Sequence, residues 1–506
     1  MKILFVRPPR YMWPFHSENS SFWQPLAFAS MAAVLRENID DIKIGIIDFP
    51  ALKIGWKSVP EALKREKPDV LCIGEETVSV NEAFKLVNIA RSMFPELIVI
   101  AGGTYFTYMA NDSLNNHQID FVVRFEGEET LLELVRELKK DRSKQDLSRI
   151  NGIAYKDKGK VIETSLRPLI KNLDSLPMPA YDLLDMGAYG GKSRNHRNFV
   201  AVEHSRGCTC SCNFCILWKQ MGQLDMKTGK VRPHYRTKSV KRTVEEVAYL
   251  HEKFNRKTFC WVDPTWNVNP RWNREFAEEM IKTGLDIDHS VWLRADFIVR
   301  DEQKGIFGKQ VKAGLKQVMI GVERTDNDDL RYLDKEGYSY DTIKKAFEIV
   351  RRYPEVYSVA TYLYGLPNET RQSLKRFYDL LNGIPFDTGV PLPLTPNPGT
   401  RYFDELEKKN LIEIKDFKYY NFINPVARSK YLSRNQLMFY MMLNELRIRT
   451  RKEQFAGLNL GSSRRKNAVS SMSGHKAKMS FRFIRGMLSE SLLGRKVNYN
   501  TKPGWY

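Results

Sequence analysis

Several chemistries are excluded by what this 506-residue chain lacks. It has no uninterrupted apolar run of about 18 residues, so no membrane-spanning helix is expected. It has no Walker A loop, which removes the usual phosphate cradle of nucleotide hydrolases. It offers no Ser-His-Asp set, which argues against a serine hydrolase. Cysteine is scarce, six in all, and four of them fall within residues 208–215. That distribution does not build a secreted disulfide framework. No second, separated cysteine pair accompanies the four, so a structural zinc site is not expected. Cys72 and Cys260 lie in apolar runs and read as small core residues. The opening Met1-Lys-Ile-Leu-Phe-Val is too short an apolar run for a signal peptide and reads as a first strand. A cytoplasmic location is expected.

What is present is an apolar fraction of 42%, suited to globular domains, and length enough for two or three of them. Charge is uneven. The net value is 80 − 60 = +20. Residues 427–506 hold 17 Lys or Arg against Glu445, Glu453 and Glu490, so they contribute 17 − 3 = +14. A basic end of this kind suits an acidic protein, an anionic lipid surface or nucleic acid, and equally a solvated tail.

Residues 2–7, 44–48, 68–74, 97–102 and 120–124 read as strands. They alternate with helical spacing at 26–35, 60–65, 81–93 and 128–139. This predicts an α/β domain over residues 1–150, a parallel doubly wound sheet with ligands at the carboxyl ends of its strands. Residues 151–198 read as a linker, with a small hairpin around 156–160 and a proline-marked connector at 173–182. Strand–helix units resume over residues 199–405, with strands expected at 200–205, 258–263, 290–296, 317–323, 357–365 and 388–395. The Asp-Asn-Asp-Asp run at 326–329 lacks the glycine and distal glutamate of a calcium loop and reads as an acidic helix start. Residues 406–506 read as basic and mainly helical, with helices at 430–449 and 481–493 around a basic linker at 461–466.

The stretch that organises the rest is residues 200–215, an apolar strand, a turn at Gly207 and then the cysteines. Cys208, Cys212 and Cys215 are spaced C-x3-C-x2-C. Three thiolates can hold three irons of a [4Fe–4S] cluster and leave the fourth open, whereas such clusters are normally held by four cysteines. Cys210 is an extra thiol, read as a bystander. With Phe214 just before the last cysteine, the chain resembles the radical S-adenosylmethionine (SAM) enzymes. The resemblance implies that the open iron binds SAM, that Phe214 lies beside the cofactor, and that residues 199–405 form a partial (β/α)6 TIM-type barrel. It also implies roles at strand ends. Asp263 would meet the SAM amino group, although the family's glycine-rich version is absent. Arg294 would face the SAM carboxylate or the substrate, Glu323 the ribose, and Gly365 the adenine. Chemistry at the carboxyl ends of barrel strands is the general rule. An exposed low-potential cluster suits an anaerobic niche.

Residues 69–74, 101–104 and 124–128, in that order, resemble the cobalamin-binding domains that precede many radical SAM modules. Residues 1–150 are then a Rossmann-like cobalamin-binding domain, with Glu75, Glu76 and Thr77 and the turn Gly102, Gly103 and Thr104 packed around the corrin. Paired glycines let a backbone approach a bulky ligand closely. The Asp-x-His-x-x-Gly triplet whose histidine binds cobalt is missing from residues 7–24. Cobalt is therefore expected to lack a protein imidazole, and His16 reads as a loop histidine. Tyr11, Trp13, Phe15, Phe22 and Trp23 are expected to wall the corrin or to pack between domains.

The combined resemblance is to cobalamin-dependent radical SAM enzymes of the class B methyltransferase type. It implies transfer of a methyl group from methylcobalamin to an unactivated carbon of a peptide, protein or lipid, with a [4Fe–4S] cluster, SAM and cobalamin as cofactors. The alternative is a cyclase or rearrangement enzyme acting on a tetrapyrrole or lipid without methyl transfer. An external electron donor such as ferredoxin or flavodoxin is expected. The C-terminal region is expected to pack on the protein and cap the barrel mouth, with peripheral membrane contact as a second reading. Nucleic acid is disfavoured, because RNA-modifying methylthiotransferases carry extra cysteines in their first domain and this one has only Cys72.

Overall fold

The computed structural model describes residues 1–10, 23–189, 198–225, 228–449, 481–494, 496–497, 499 and 506. Its first sheet joins β1 (Lys2–Arg7), β2 (Lys43–Asp48), β3 (Val70–Gly74), β4 (Ile98–Gly102), β5 (Phe121–Val123), β6 (Ile153–Asp157) and β7 (Lys160–Glu163). The order is β2-β1-β3-β4-β5-β6-β7. The first five run parallel, and β6 and β7 form the antiparallel hairpin expected in the linker. Successive side chains of a strand point to opposite faces. Here Leu4, Val6, Leu71, Ile73 and Val99 enter one core, while Ile3, Phe5, Val70, Cys72 and Ile100 enter another. Helices cover both faces, so continuous apolar strands are what this sheet requires.

The second half of the chain adds β8 (Phe199–Val202), β9 (Ser205–Cys208), β10 (Gln223–Leu224), β11 (Val231–Arg232), β12 (His234–Thr237), β13 (Thr258–Trp261), β14 (Asp288–Leu293), β15 (Leu315–Glu323), β16 (Tyr357–Tyr364) and β17 (Thr388–Pro393). Six of these form a parallel sheet ordered β8-β13-β14-β15-β16-β17. β8 and β17 are its two edges, which makes the barrel partial. Val200, Val202, Phe259, Trp261, Val318 and Ile320 pack outward under the helices in one large core. The alternate residues of the strands form two smaller clusters on the concave face: Phe199, Ala201 and Cys260, and Tyr357, Val359 and Val390.

Three expectations change. The strand expected at 200–205 is divided: β8 ends at Val202, and β9 pairs antiparallel with β12 in a ribbon outside the barrel sheet. The strand expected at 290–296 stops at Leu293, because Ala295 already begins the helix Ala295–Gln303 with Arg294 as its cap residue. The helix Arg434–Arg449 lies on the outer wall rather than over the mouth. There Tyr362 hydrogen-bonds to Glu445. The acidic run does start a helix, with Asp326 accepting from the Asp328 N–H. Phe417 reaches Tyr105 of the first domain, ring centroids 5.3 Å apart, and Asn81 donates to Asp416 at 3.0 Å. Tyr11, Trp13, Phe15, His16, Phe22 and the 461–466 linker lie outside the described residues. No described helix is long and apolar enough to cross a membrane.

Candidate active site

Cys208 is the last residue of β9. The strand reaches it through Gly207, at φ +91°, where an added Cβ would stand 1.9 Å from the His234 carbonyl oxygen. Only glycine fits there. The following loop is held at several points. Trp218 Nε1 donates to the Cys212 carbonyl at 2.9 Å, and the Cys215 N–H to the same carbonyl at 3.2 Å. Asn213 Nδ2 donates to the Tyr332 carbonyl at 2.6 Å. Phe214 packs into a cluster with Leu333, Leu363, Leu366 and Tyr402.

Among the described residues no three His, Cys, Asp or Glu side chains converge on one ion. The thiols lie instead within electrostatic reach of one another. A hydrogen bond with Cys210 pulls the Cys208 thiol down to about 5, against burial, with help from Thr265, whose hydroxyl is 3.6 Å away. Burial pushes the Cys212 thiol up and the Cys215 thiol up to about 12. Buried thiols of this kind release their protons in exchange for a metal cation, and the thiolate is the ligand form.

Two of the strand-end residues meet this loop. Arg294 Nη1 donates to Cys210 Sγ at 2.7 Å, and its other nitrogens hold Asp296 and the Glu336 carbonyl. Burial opposes its charge, but Tyr338 and Asp296 outweigh burial and hold it above the usual arginine range. Glu323 ends β15 at φ +58° and pairs with Lys335 at 2.8 Å. Lys335 is half-buried, and although burial opposes its charge, Glu323, Tyr338 and Cys212 hold it above the usual lysine range. Lys335 and Tyr338 escape the sequence reading. Their only signal is the turn they bracket, where Gly337 sits at φ +78° and an added Cβ would be 2.7 Å from Asp296 Oδ2.

The other two behave differently. Asp263 is almost wholly buried, and its Oδ1 accepts from the Ser205 N–H (2.5 Å), the Ser205 hydroxyl (2.6 Å) and the His204 N–H (3.1 Å). Through Oδ1, which also meets His204 Nδ1 at 2.8 Å, it anchors the start of β9, while its Oδ2 is buried without a hydrogen-bond partner. Gly365, at φ +93°, donates to Glu369 at 2.9 Å and accepts from the Tyr402 hydroxyl at 3.2 Å.

A cavity of about 380 Å³ opens between the carboxyl ends of the two sheets, within the usual size of ligand pockets. Gly74, Glu75, Glu76, Gly102, Gly103 and Thr104 line it from the first domain, and Glu203, Arg206, Met221 and Lys238 from the second. Thr77 is buried next to this wall without lining it. Gly103 has φ +90° and ψ −175°, a glycine-only conformation, and an added Cβ would be 3.2 Å from the Glu75 carbonyl oxygen. Arg10 pairs with Glu75 at 2.7 Å, and burial raises that carboxyl above the usual range. Glu75 Oε1 is buried without a hydrogen-bond partner.

Arg206 ties the two walls together. Its three nitrogens reach Glu126 (2.9 Å), Glu128 (2.6 Å) and Glu203 (2.9 Å), and Arg236 joins Glu126 at 3.0 Å. Arg206 stands two residues before Cys208. The cluster strand and the loop after β5 are therefore held by one buried guanidinium.

Two family models match this division of the chain, one described as the B12 binding domain over residues 18–135 and one as the radical SAM superfamily over 202–381. The chain belongs to the B12-binding radical SAM enzymes. This B12-binding radical SAM enzyme is similar to an uncharacterized methyltransferase of Pyrococcus horikoshii, 29% identical over 86% of this chain and 90% of that one. It is also similar to the anaerobic magnesium-protoporphyrin IX monomethyl ester cyclase of Rubrivivax gelatinosus, 28% identical over 88% of this chain and 76% of that one. Its fold is similar to that of the cobalamin-dependent SAM radical enzyme OxsB, with a TM-score of 0.70, 16% identity, and coverage of 97% of this chain and 73% of that one. Its cofactors are a [4Fe–4S] cluster, SAM and cobalamin.

The residues present fit these groups. Cys208, Cys212 and Cys215 would supply three thiolates to a cluster on one pinned loop, and Arg294, Glu323 and Lys335 offer charge beside them. The glycine cradle and the unpartnered Glu75 oxygen fit the edge of a macrocycle whose rim carries amide donors. Gly103→Ala is expected to cost about 1–3 kcal/mol of stability and to weaken cobalamin retention. Thermal melting and the cobalt content of the purified protein check both.

Proposed function

We propose that this enzyme transfers a methyl group from methylcobalamin to an unactivated carbon of a peptide, protein or lipid. The supporting observation is that the cradle wall and the cluster strand face one cavity and share Arg206. When bound, the cluster with SAM supplies hydrogen abstraction, and cobalamin supplies the transferable methyl group; the chemistry belongs to the cofactors. The chain supplies placement. Its three thiolates fix the cluster, and the Asp263–Ser205 contacts fix the strand behind it. The Arg206 pairs orient that strand towards the cradle. Arg294 and Lys335 stand ready for anionic groups of SAM, and Glu323 for hydroxyls. Phe214 and its apolar neighbours keep water from the loop. Electrons come from an external donor such as ferredoxin or flavodoxin.

Similarity to the cyclases supports a second reading, ring formation without methyl transfer. Anaerobic incubation with methyl-deuterated SAM, a reductant and cell extract separates the two. Mass spectrometry is expected to find a product carrying the labelled methyl group. Turnover with an unlabelled product would favour the cyclase reading.

A further inference from the structure

Over residues 481–493 one helix face carries Phe481, Ile484, Leu488 and Leu492, with Leu493 beside them. They are 70%, 48%, 56%, 79% and 64% exposed. The opposite face is anchored: the Phe483 ring packs against Tyr499 at 5.0 Å, and Glu490 pairs with Arg434 at 3.4 Å. The exposed stripe is therefore presented by a docked helix. The helix Arg434–Arg449 adds Phe439, Leu443 and Leu446, between 43% and 52% exposed. Of the fourteen large apolar side chains exposed among the described residues, nine lie between Tyr431 and Leu493. Such concentration marks a contact surface.

Charge decides the partner. This region supplies +14, and Glu445 and Glu490, two of its three acids, are engaged inside the protein. Cations alone would suffice for nucleic acid or an acidic protein. An apolar stripe interleaved with Arg482 and Arg485 of the same helix instead matches the boundary between anionic headgroups and acyl chains.

We propose that the helix over residues 481–493, with the outer face of the helix Arg434–Arg449, docks the enzyme on an anionic lipid bilayer, and that the molecule it methylates is an apolar one held in that bilayer. The second clause rests on the methyltransferase reading. It agrees with the concave face of the barrel, where Met319, Tyr357, Val359, Val390 and Leu392 form one apolar cluster.

The test is flotation of the full-length holoenzyme with vesicles of phosphatidylcholine, alone or mixed with phosphatidylglycerol. Binding is expected only to the mixed vesicles and is expected to weaken with salt. The double variant Leu488→Glu with Leu492→Glu is expected to lower partitioning at least about tenfold. So is Arg485→Glu. All three side chains are exposed, so melting temperature and SAM cleavage in solution should stay unchanged. Equal binding to both vesicle types, or undiminished binding by the variants, would overturn the proposal. Retention on heparin without vesicle binding would also overturn it, in favour of a soluble polyanion. Label from methyl-deuterated SAM is expected in the lipid extract. Label confined to water-soluble products would overturn the substrate clause while methyl transfer stands. Label in no fraction would count against methyl transfer, with vesicle binding still deciding the docking face.

Discussion

Replacing Cys212 by alanine is expected to abolish the iron–sulfur chromophore and to cut SAM cleavage more than a hundredfold, since even groups behind a metal ligand commonly cost about 10–100-fold when removed. The loop itself should survive. Its position depends on main-chain groups, namely the Cys212 carbonyl held by Trp218 and the Asn213 contacts with residues 332 and 333. Melting of the metal-free protein should therefore change little, which separates loss of a ligand from loss of fold. Cys210→Ala is the control. That thiol bonds to Arg294 and Cys208, and a variant without it should still take up a cluster. Iron and sulfide analysis with electron spin resonance reads both variants.

Replacing Arg206 by methionine is expected to have the largest effect on stability. The buried Glu128 and the half-buried Glu126 and Glu203 would lose their shared partner. Breaking a buried ion pair from one side costs about 3–5 kcal/mol. Arg236 still reaches Glu126, so the lower part of that range is expected. The pH dependence follows from Glu128. Burial alone would raise its carboxyl, but Arg206 more than offsets this and holds it below the usual range. A depressed carboxyl stabilises the fold above its ordinary titration range, and the benefit is lost as pH falls through the folded value. The deficit of the variant should thus be greatest near neutral pH and shrink in acid, where Glu128 is protonated in both proteins. Thermal melting across pH measures it. Cobalamin retention should fall in parallel, because the loop after β5 lines the cavity.

The parts legible in the sequence were those with local causes. Strand–helix alternation gave the doubly wound sheet and the six barrel strands, because burial on two faces writes continuous apolar runs into each strand. The cysteine spacing marked the cluster loop, since its ligands sit within eight residues. Gly103 and the turn around it were visible because a glycine-only backbone needs glycine. What escaped was set by distant contacts. Nothing near Arg206 announces that two of its three partners, Glu126 and Glu128, lie 80 and 78 positions earlier. β9 and β12 are four residues each, too short to show a period, so their ribbon merged with the strand before it. Asp263 follows a barrel strand, which is all the sequence shows of it. That its Oδ1 bonds back to Ser205 and His204 while its Oδ2 has no partner is set by residues 58 and 59 positions away. The C-terminal region is expected to cap the barrel mouth, but the buried Glu445 of its helix Arg434–Arg449 finds Tyr362 on the outer wall, a pairing that only the folded barrel creates.

The central claim is that cobalamin, in the cavity between the two sheets, lies close to a cluster held on the adjoining cysteine loop. The most direct measurement is electron spin resonance of a single preparation loaded with both groups, with the cobalt as cob(II)alamin and the cluster reduced. The account predicts magnetic interaction, with each signal broadened relative to protein carrying only one group. Two unperturbed signals that simply add would place the groups far apart and contradict it.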